Sequence, residues 1–102
     1  MDAILDLQAW YLSNCNGDWE HDERIHIGTL DNPGWSLQIN FEGTTLSGKS
    51  FIEVSYGVGE NGNTSGNEWL VCKVVGNTFK GHGGPEKLGE LLNVFLSWAR
   101  AA

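Results

Sequence analysis

Positive charge is scarce in this sequence. Six Lys and Arg stand against thirteen Asp and Glu, a formal net charge of −7. An acidic field repels nucleic acid and anionic membrane and attracts basic partners, although acidity also serves solubility alone. Long apolar runs are missing too. None approaches the roughly 20 residues that cross a bilayer, so no membrane partner is expected. No basic segment followed by an apolar stretch opens the chain, which argues against a secretory signal and for a cytoplasmic protein. Cysteine is nearly absent, with only Cys15 and Cys72. Two isolated thiols do not make a disulfide framework and read as reduced residues.

What the chain does have is bulk and turns. Five Trp, four Phe and two Tyr supply large pieces for one core, and fourteen Gly in 102 residues suggest many tight turns. Residues 1–102 are read as one domain, because a second core would leave neither half enough buried surface. Charge is unevenly spread. Residues 1–71 carry eleven acids against Arg24 and Lys49, leaving −9, whereas residues 72–102 come to +2.

Periodicity predicts a helix from Asp2 to Ser13 with Ile4, Leu7 and Tyr11 on its apolar face, flanked by Leu5 and Leu12. Ile25 and Ile27 mark a strand running to about Leu30. Asp31-Asn32-Pro33-Gly34 is a turn, and Trp35, Leu37, Ile39 and Phe41 follow at strict period two. Phe51–Val58 reads as a third strand with Ile52, Val54, Tyr56 and Val58 on one face. A Gly/Asn-rich loop covers Gly57–Asn67, then Glu68–Val75 reads as a central strand and Thr78–Lys80 as a short one. Pro85 fits the first position of a closing helix whose stripe is Leu88, Leu91, Leu92, Phe95 and Ala99, with Leu96 and Trp98 at its borders. With no βαβ alternation, the class is α+β: an antiparallel sheet of four to five strands flanked by an N-terminal and a C-terminal helix.

Two nucleotide-site patterns occur out of context. Gly43-Thr44-Thr45-Leu46-Ser47-Gly48-Lys49-Ser50 satisfies the P-loop expression, but a strand is expected after it where phosphate binding needs a helix N-terminus. Gly57-Val58-Gly59-Glu60-Asn61-Gly62 satisfies the dinucleotide fingerprint and again has no helix behind it. His21 and His26 with their acidic neighbours match no metal-ligand spacing. No cofactor, no metal and no catalytic residue is therefore assigned. A small enzyme centred on Cys15 or His82 stays open as an alternative, as does a generic interaction domain.

The most unusual stretch is Asn16-Gly17-Asp18-Trp19-Glu20-His21-Asp22-Glu23, where four acids surround one Trp. Aromatic anchors and orienting charges are the makings of a protein interface. Trp19 folding inward beneath solvating carboxylates is the competing reading, and the two are compatible. Candidate partner contacts are Asp18, Trp19, Glu20, Asp22, Glu23 and Asp31, with Glu60 and Glu68 second.

Trp10-Tyr11-Leu12, Asn16 to His21, and Thr29-Leu30-Asp31-Asn32-Pro33-Gly34-Trp35 together resemble the immunity protein 53 family. Gly43-Thr44, Trp69, Phe79, Gly83-Gly84-Pro85-Glu86 and the closing helix extend the likeness over nearly the whole chain. The resemblance implies a bacterial polymorphic-toxin system in which this chain neutralises a cognate toxin by binding it, without catalysis. The acidic charge adds the expectation that the toxin has a basic surface, as a nuclease does, and that its active site is occluded. The long glycine-rich Gly57–Asn67 segment departs from the family's expected pattern.

Overall fold

A computed structural model describes residues 2–58 and 67–101. Helix α1 spans Ala3–Asn14, and Asp2 caps it by accepting the backbone N–H groups of Ile4 (2.9 Å) and Leu5 (3.3 Å) on one carboxylate oxygen. A 3-10 turn, Trp19–His21, precedes strands β1 (Ile25–Leu30) and β2 (Gly34–Asn40). Then come β3 (Val54–Tyr56), β4 (Leu70–Val75), β5 (Thr78–Gly83) and helix α2 (Leu88–Arg100). The strands form one antiparallel sheet in the order β1-β2-β5-β4-β3. The α+β expectation holds, with a helix at each end of the chain.

One face of the sheet meets the helices. Leu37, Ile39, Leu70, Cys72 and Phe79 point into a core closed by Leu91, Leu92, Phe95 and Leu96 of α2 and Leu7 of α1. Burying each large side chain of this kind stabilises the fold by about 1.5–3 kcal/mol. The other face is polar: Ser36 and Gln38 of β2 lie across from His82 and Lys80 of β5, and Lys80 pairs with Lys73 of β4.

Several expectations need correction. In α1 the buried face holds Ala3, Leu7 and Trp10, whereas Ile4, Leu5 and Leu12 are exposed, Leu12 by 71%. Apolar residues occur all round this helix, so periodicity cannot choose the face. Trp10 chooses it, stacking edge-on against Phe95 at 4.9 Å. The third strand is cut to three residues: Ile52 is 87% exposed, and Phe51 turns inward against Phe79 (5.5 Å) and Trp98 (5.3 Å). β4 is flanked by β5 and β3, but its Lys73 and Val75 face outward, so only one of its faces is core.

The sheet's true centre is β5, which continues through Gly81 to Gly83. Those glycines read as punctuation in sequence but serve close packing: a Cβ on Gly81 would sit 2.9 Å from Leu91 and 3.2 Å from Phe79. Pro85 lies in a turn ahead of α2, its carbonyl accepting the Trp35 indole N–H at 2.9 Å, and helical backbone begins at Leu88. Leu96, placed at the stripe's border, is 3% exposed.

The P-loop-like segment is a chain of turns, with Gly43 and Gly48 both at φ 82°, and irregular residues and then β3 follow it where a helix would be needed. Lys49 caps α2 instead of a phosphate. Its Nζ donates to the carbonyls of Trp98 (2.7 Å) and Ala101 (2.6 Å), where the helix dipole is negative. Most of the dinucleotide-like segment lies outside the described residues.

Candidate partner-binding surface

The acidic stretch is held by its own side chains. Asn16 Oδ1 accepts the backbone N–H groups of Asp18 and Trp19, both at 2.9 Å. Glu20 closes the loop from the other direction, accepting the N–H of Asn16 on Oε1 (3.0 Å) and of Gly17 on Oε2 (2.8 Å). This is the logic of a capping box wrapped round a single turn. Gly17, at φ 91°, supplies the left-handed backbone that lets the chain double back. Backbone N–H groups, its own first and then those of Asn16 and Gly17, hold the Glu20 carboxyl below the usual glutamate range.

Trp19 mounts the loop on the core. It is 6% exposed, donates its indole N–H to the Glu42 carbonyl at 2.8 Å, and meets Trp10 edge-on at 5.8 Å and Tyr11 at 5.6 Å. Through Trp10 and Phe95 the ring chain reaches Phe79 in the sheet. Arg24 completes the mount. Its side chain is only 9% exposed, its guanidinium lies 5.0 Å from the Trp19 ring centroid, and Nε donates to the Trp19 carbonyl at 2.7 Å. Further donations reach Asn40 Oδ1 (3.2 Å) and Asp22 Oδ2 (3.5 Å).

Between α1, this loop and the start of β1 lies a groove of about 560 Å³. Leu7, Tyr11 and Ile25 give it an apolar wall, and Glu20, Asp22 and Glu23 give it an acidic one, with Gln8, His21 and Arg24 between. The Asp22 and Glu23 side chains are 82% and 79% exposed, so their charge is presented to solvent. An apolar wall beside solvent-exposed carboxylates, Asp22 only loosely paired with Arg24 at 3.5 Å and Glu23 3.9 Å from His26, suits a partner's Lys or Arg, whose stem packs while its head pairs.

The structure brings together part of the residue set expected from sequence. Asp18, Trp19, Glu20, Asp22 and Glu23 share the loop, with Trp19 inward and Glu20 engaged by backbone N–H groups. Asp31 is exposed at the β1–β2 turn, at the opposite end of β1. Glu68 lies on the far side of the sheet before β4, paired with Lys87 at 2.9 Å. Glu60 lies outside the described residues. Sequence reasoning missed Leu7, Tyr11 and Arg24 as groove residues. Arg24 carried a signal: it is the sole Lys or Arg in residues 1–48, amid acids, and a lone cation there must collect acceptors.

The other candidate centres are dispersed. Cys72 is buried in β4, and burial pushes its thiol up to about 12. Cys15 follows α1, its Sγ 3.3 Å from the Tyr11 carbonyl oxygen. His82 lies on the polar face of β5, where burial first and Lys73 and Lys80 second lower its pKa. The sheet therefore separates it from the side that carries α1. Among the described residues no group of three or more His, Cys, Asp or Glu is placed to hold a metal ion, and no helix is long and apolar enough to cross a membrane.

Fold and surface together describe a small α+β protein that offers a preformed acidic groove beside an open sheet edge. Comparison with known families specifies which such protein. The family model described as immunity protein 53 matches residues 4–100, and the chain belongs to that family. No curated protein and no solved structure matches it. Membership carries an immunity role, the neutralisation of a toxin.

Proposed function

We propose that this chain neutralises a cognate toxin with a basic active-site surface, a nuclease, by seating its acidic groove over that site in the producing cell's cytoplasm. The observation that carries the reading is the clamped loop from Asn16 to Arg24, which holds Asp22 and Glu23 in solvent beside an apolar wall. A carboxylate row of this kind stands in for the phosphates of a nuclease substrate. Preorganisation matters because the ordering cost falls in folding and not in binding. Long-range attraction from the acidic N-terminal part of the chain speeds encounter. The same field disfavours nucleic acid and anionic membrane as partners, and the protein's role needs binding alone, without catalysis.

The test uses the toxin domain encoded next to this chain's gene. Its activity is titrated with the purified protein, and binding is followed at two salt concentrations. Stoichiometric loss of activity with affinity that falls as salt rises supports the proposal. Full toxin activity in the presence of excess protein rejects it.

A further inference from the structure

The sheet has two edges, and they are not alike. β3 offers three residues, and its Tyr56 hydroxyl donates to Glu90 at 2.8 Å. β1 offers six, Ile25–Leu30, with neither Pro nor Lys among them. Natural proteins blunt exposed edges with short strands, Pro, or Lys. β3 is blunted by its shortness, and β1 uses none of these devices.

The ladder identifies which groups face outward. Asn40 donates its N–H to the Arg24 carbonyl at 2.7 Å, which makes Arg24 and Asn40 a hydrogen-bonded pair. The register then assigns His26 to Gln38, Gly28 to Ser36 and Leu30 to Gly34 as bonded pairs. The backbone N–H and C=O groups of Ile25, Ile27 and Thr29 therefore point away from β2, along the open edge. Ile27 is 42% exposed, whereas Ile25, on the same face of the strand, packs against the core. Acids flank the row on both sides: Asp22 and Glu23 before it, Asp31 after it.

We infer that β1 is a docking strand, and that the toxin adds an extended segment to it, with a basic residue at each end and an apolar residue between. The pattern Glu23, Ile27, Asp31 is acid, apolar, acid at equal spacing, so a complementary segment fits in either direction. The edge also continues into the acidic groove, because Ile25 belongs to both. A second copy of this chain is the poorer occupant. Two β1 strands paired antiparallel about Ile27 would set Glu23 opposite Asp31 twice, and like charges directly opposite destabilise a pair. The inference rests on the toxin-binding reading and adds the means of attachment to it.

Residue-resolved amide exchange on the full chain, free and with the toxin domain encoded beside it, tests this. Protection at Ile25, Ile27 and Thr29 is expected to rise roughly tenfold or more in the complex. Binding that leaves those three amides unprotected overturns the docking strand while sparing the immunity reading. No binding overturns both. Protection that appears without toxin, together with a dimer in sedimentation, makes a second copy the occupant and also overturns it. The variant Ile27→Pro removes an outward N–H and no β1–β2 bond, a position where edge strands accept Pro. It should keep the free protein's cooperative unfolding and weaken toxin binding at least tenfold. If it fails to fold, the wild-type exchange pattern decides.

Discussion

The guanidinium of Arg24 lies 5.0 Å from the Trp19 ring centroid while its Nε donates to the Trp19 carbonyl at 2.7 Å. One cation thus grips both the side chain and the backbone of the residue at the centre of the acidic loop. Removing it leaves the Trp19 carbonyl and Asn40 without that donor. Arg24→Ala should lower stability by about 2–3 kcal/mol, the range for losing charged hydrogen bonds at a buried site, measured as the urea midpoint at constant slope. Arg24→Lys should recover only part, since an ammonium cannot reproduce the fork. An unchanged midpoint in Arg24→Ala would show that the loop is held by other means.

Glu20 makes the loop sensitive to acid. Its carboxyl titrates below the ordinary value of 4.5, so the charged form is favoured by folding. The stabilisation is complete above 4.5 and drains away as pH falls through the lower folded value. Glu20→Gln lacks that contribution at every pH. The wild type should therefore be the more stable at neutral pH and the two should converge in acid, as read from thermal midpoints across pH. Parallel curves would mean that the backbone N–H groups do not depend on the charge.

Much of this arrangement was legible in the sequence, and the parts that were not have physical causes. The β1–β2 hairpin was readable because Leu37, Ile39 and Phe41 alternate without interruption and Asp31 to Gly34 can only turn. The face of α1 was not, because apolar residues surround that helix and the choice belongs to Trp10 and Phe95, far apart in sequence. β5 was misjudged because glycine has two uses, and Gly81 serves the approach of Leu91 where a loop was expected. The acidic loop stood out by composition. That Glu20 would be engaged inside it while the Asp22 and Glu23 side chains stay largely in solvent required the geometry.

The groove reading separates acids that steer from acids that merely add charge. Reversing Asp22 and Glu23 to Lys should slow association with the toxin about tenfold and flatten its dependence on salt. Reversing Glu68, on the far side of the sheet and paired with Lys87, should change the rate far less. A Glu68 effect half that of the double reversal, in proportion to its smaller change in charge, would point to net charge alone in stopped-flow experiments.

The thiols report on the fold. Cys72 is fully buried with its pKa at about 12, so it is both inaccessible and protonated. A thiol reagent on the native protein should label Cys15 alone, with Cys72 reacting at the rate of global unfolding. Fast labelling of both would mean that β4 opens locally.

The clamped acidic surface is proposed to neutralise a toxin by covering its active site. The most direct measurement titrates the neighbouring gene's toxin domain with wild-type protein and with the Asp22→Lys/Glu23→Lys variant, following residual toxin activity. Complete inhibition is expected at one equivalent of wild type, with a marked rise in the concentration the variant needs. A toxin inhibited equally well by both would contradict the acidic-groove mechanism, and a toxin inhibited by neither would contradict the immunity function itself.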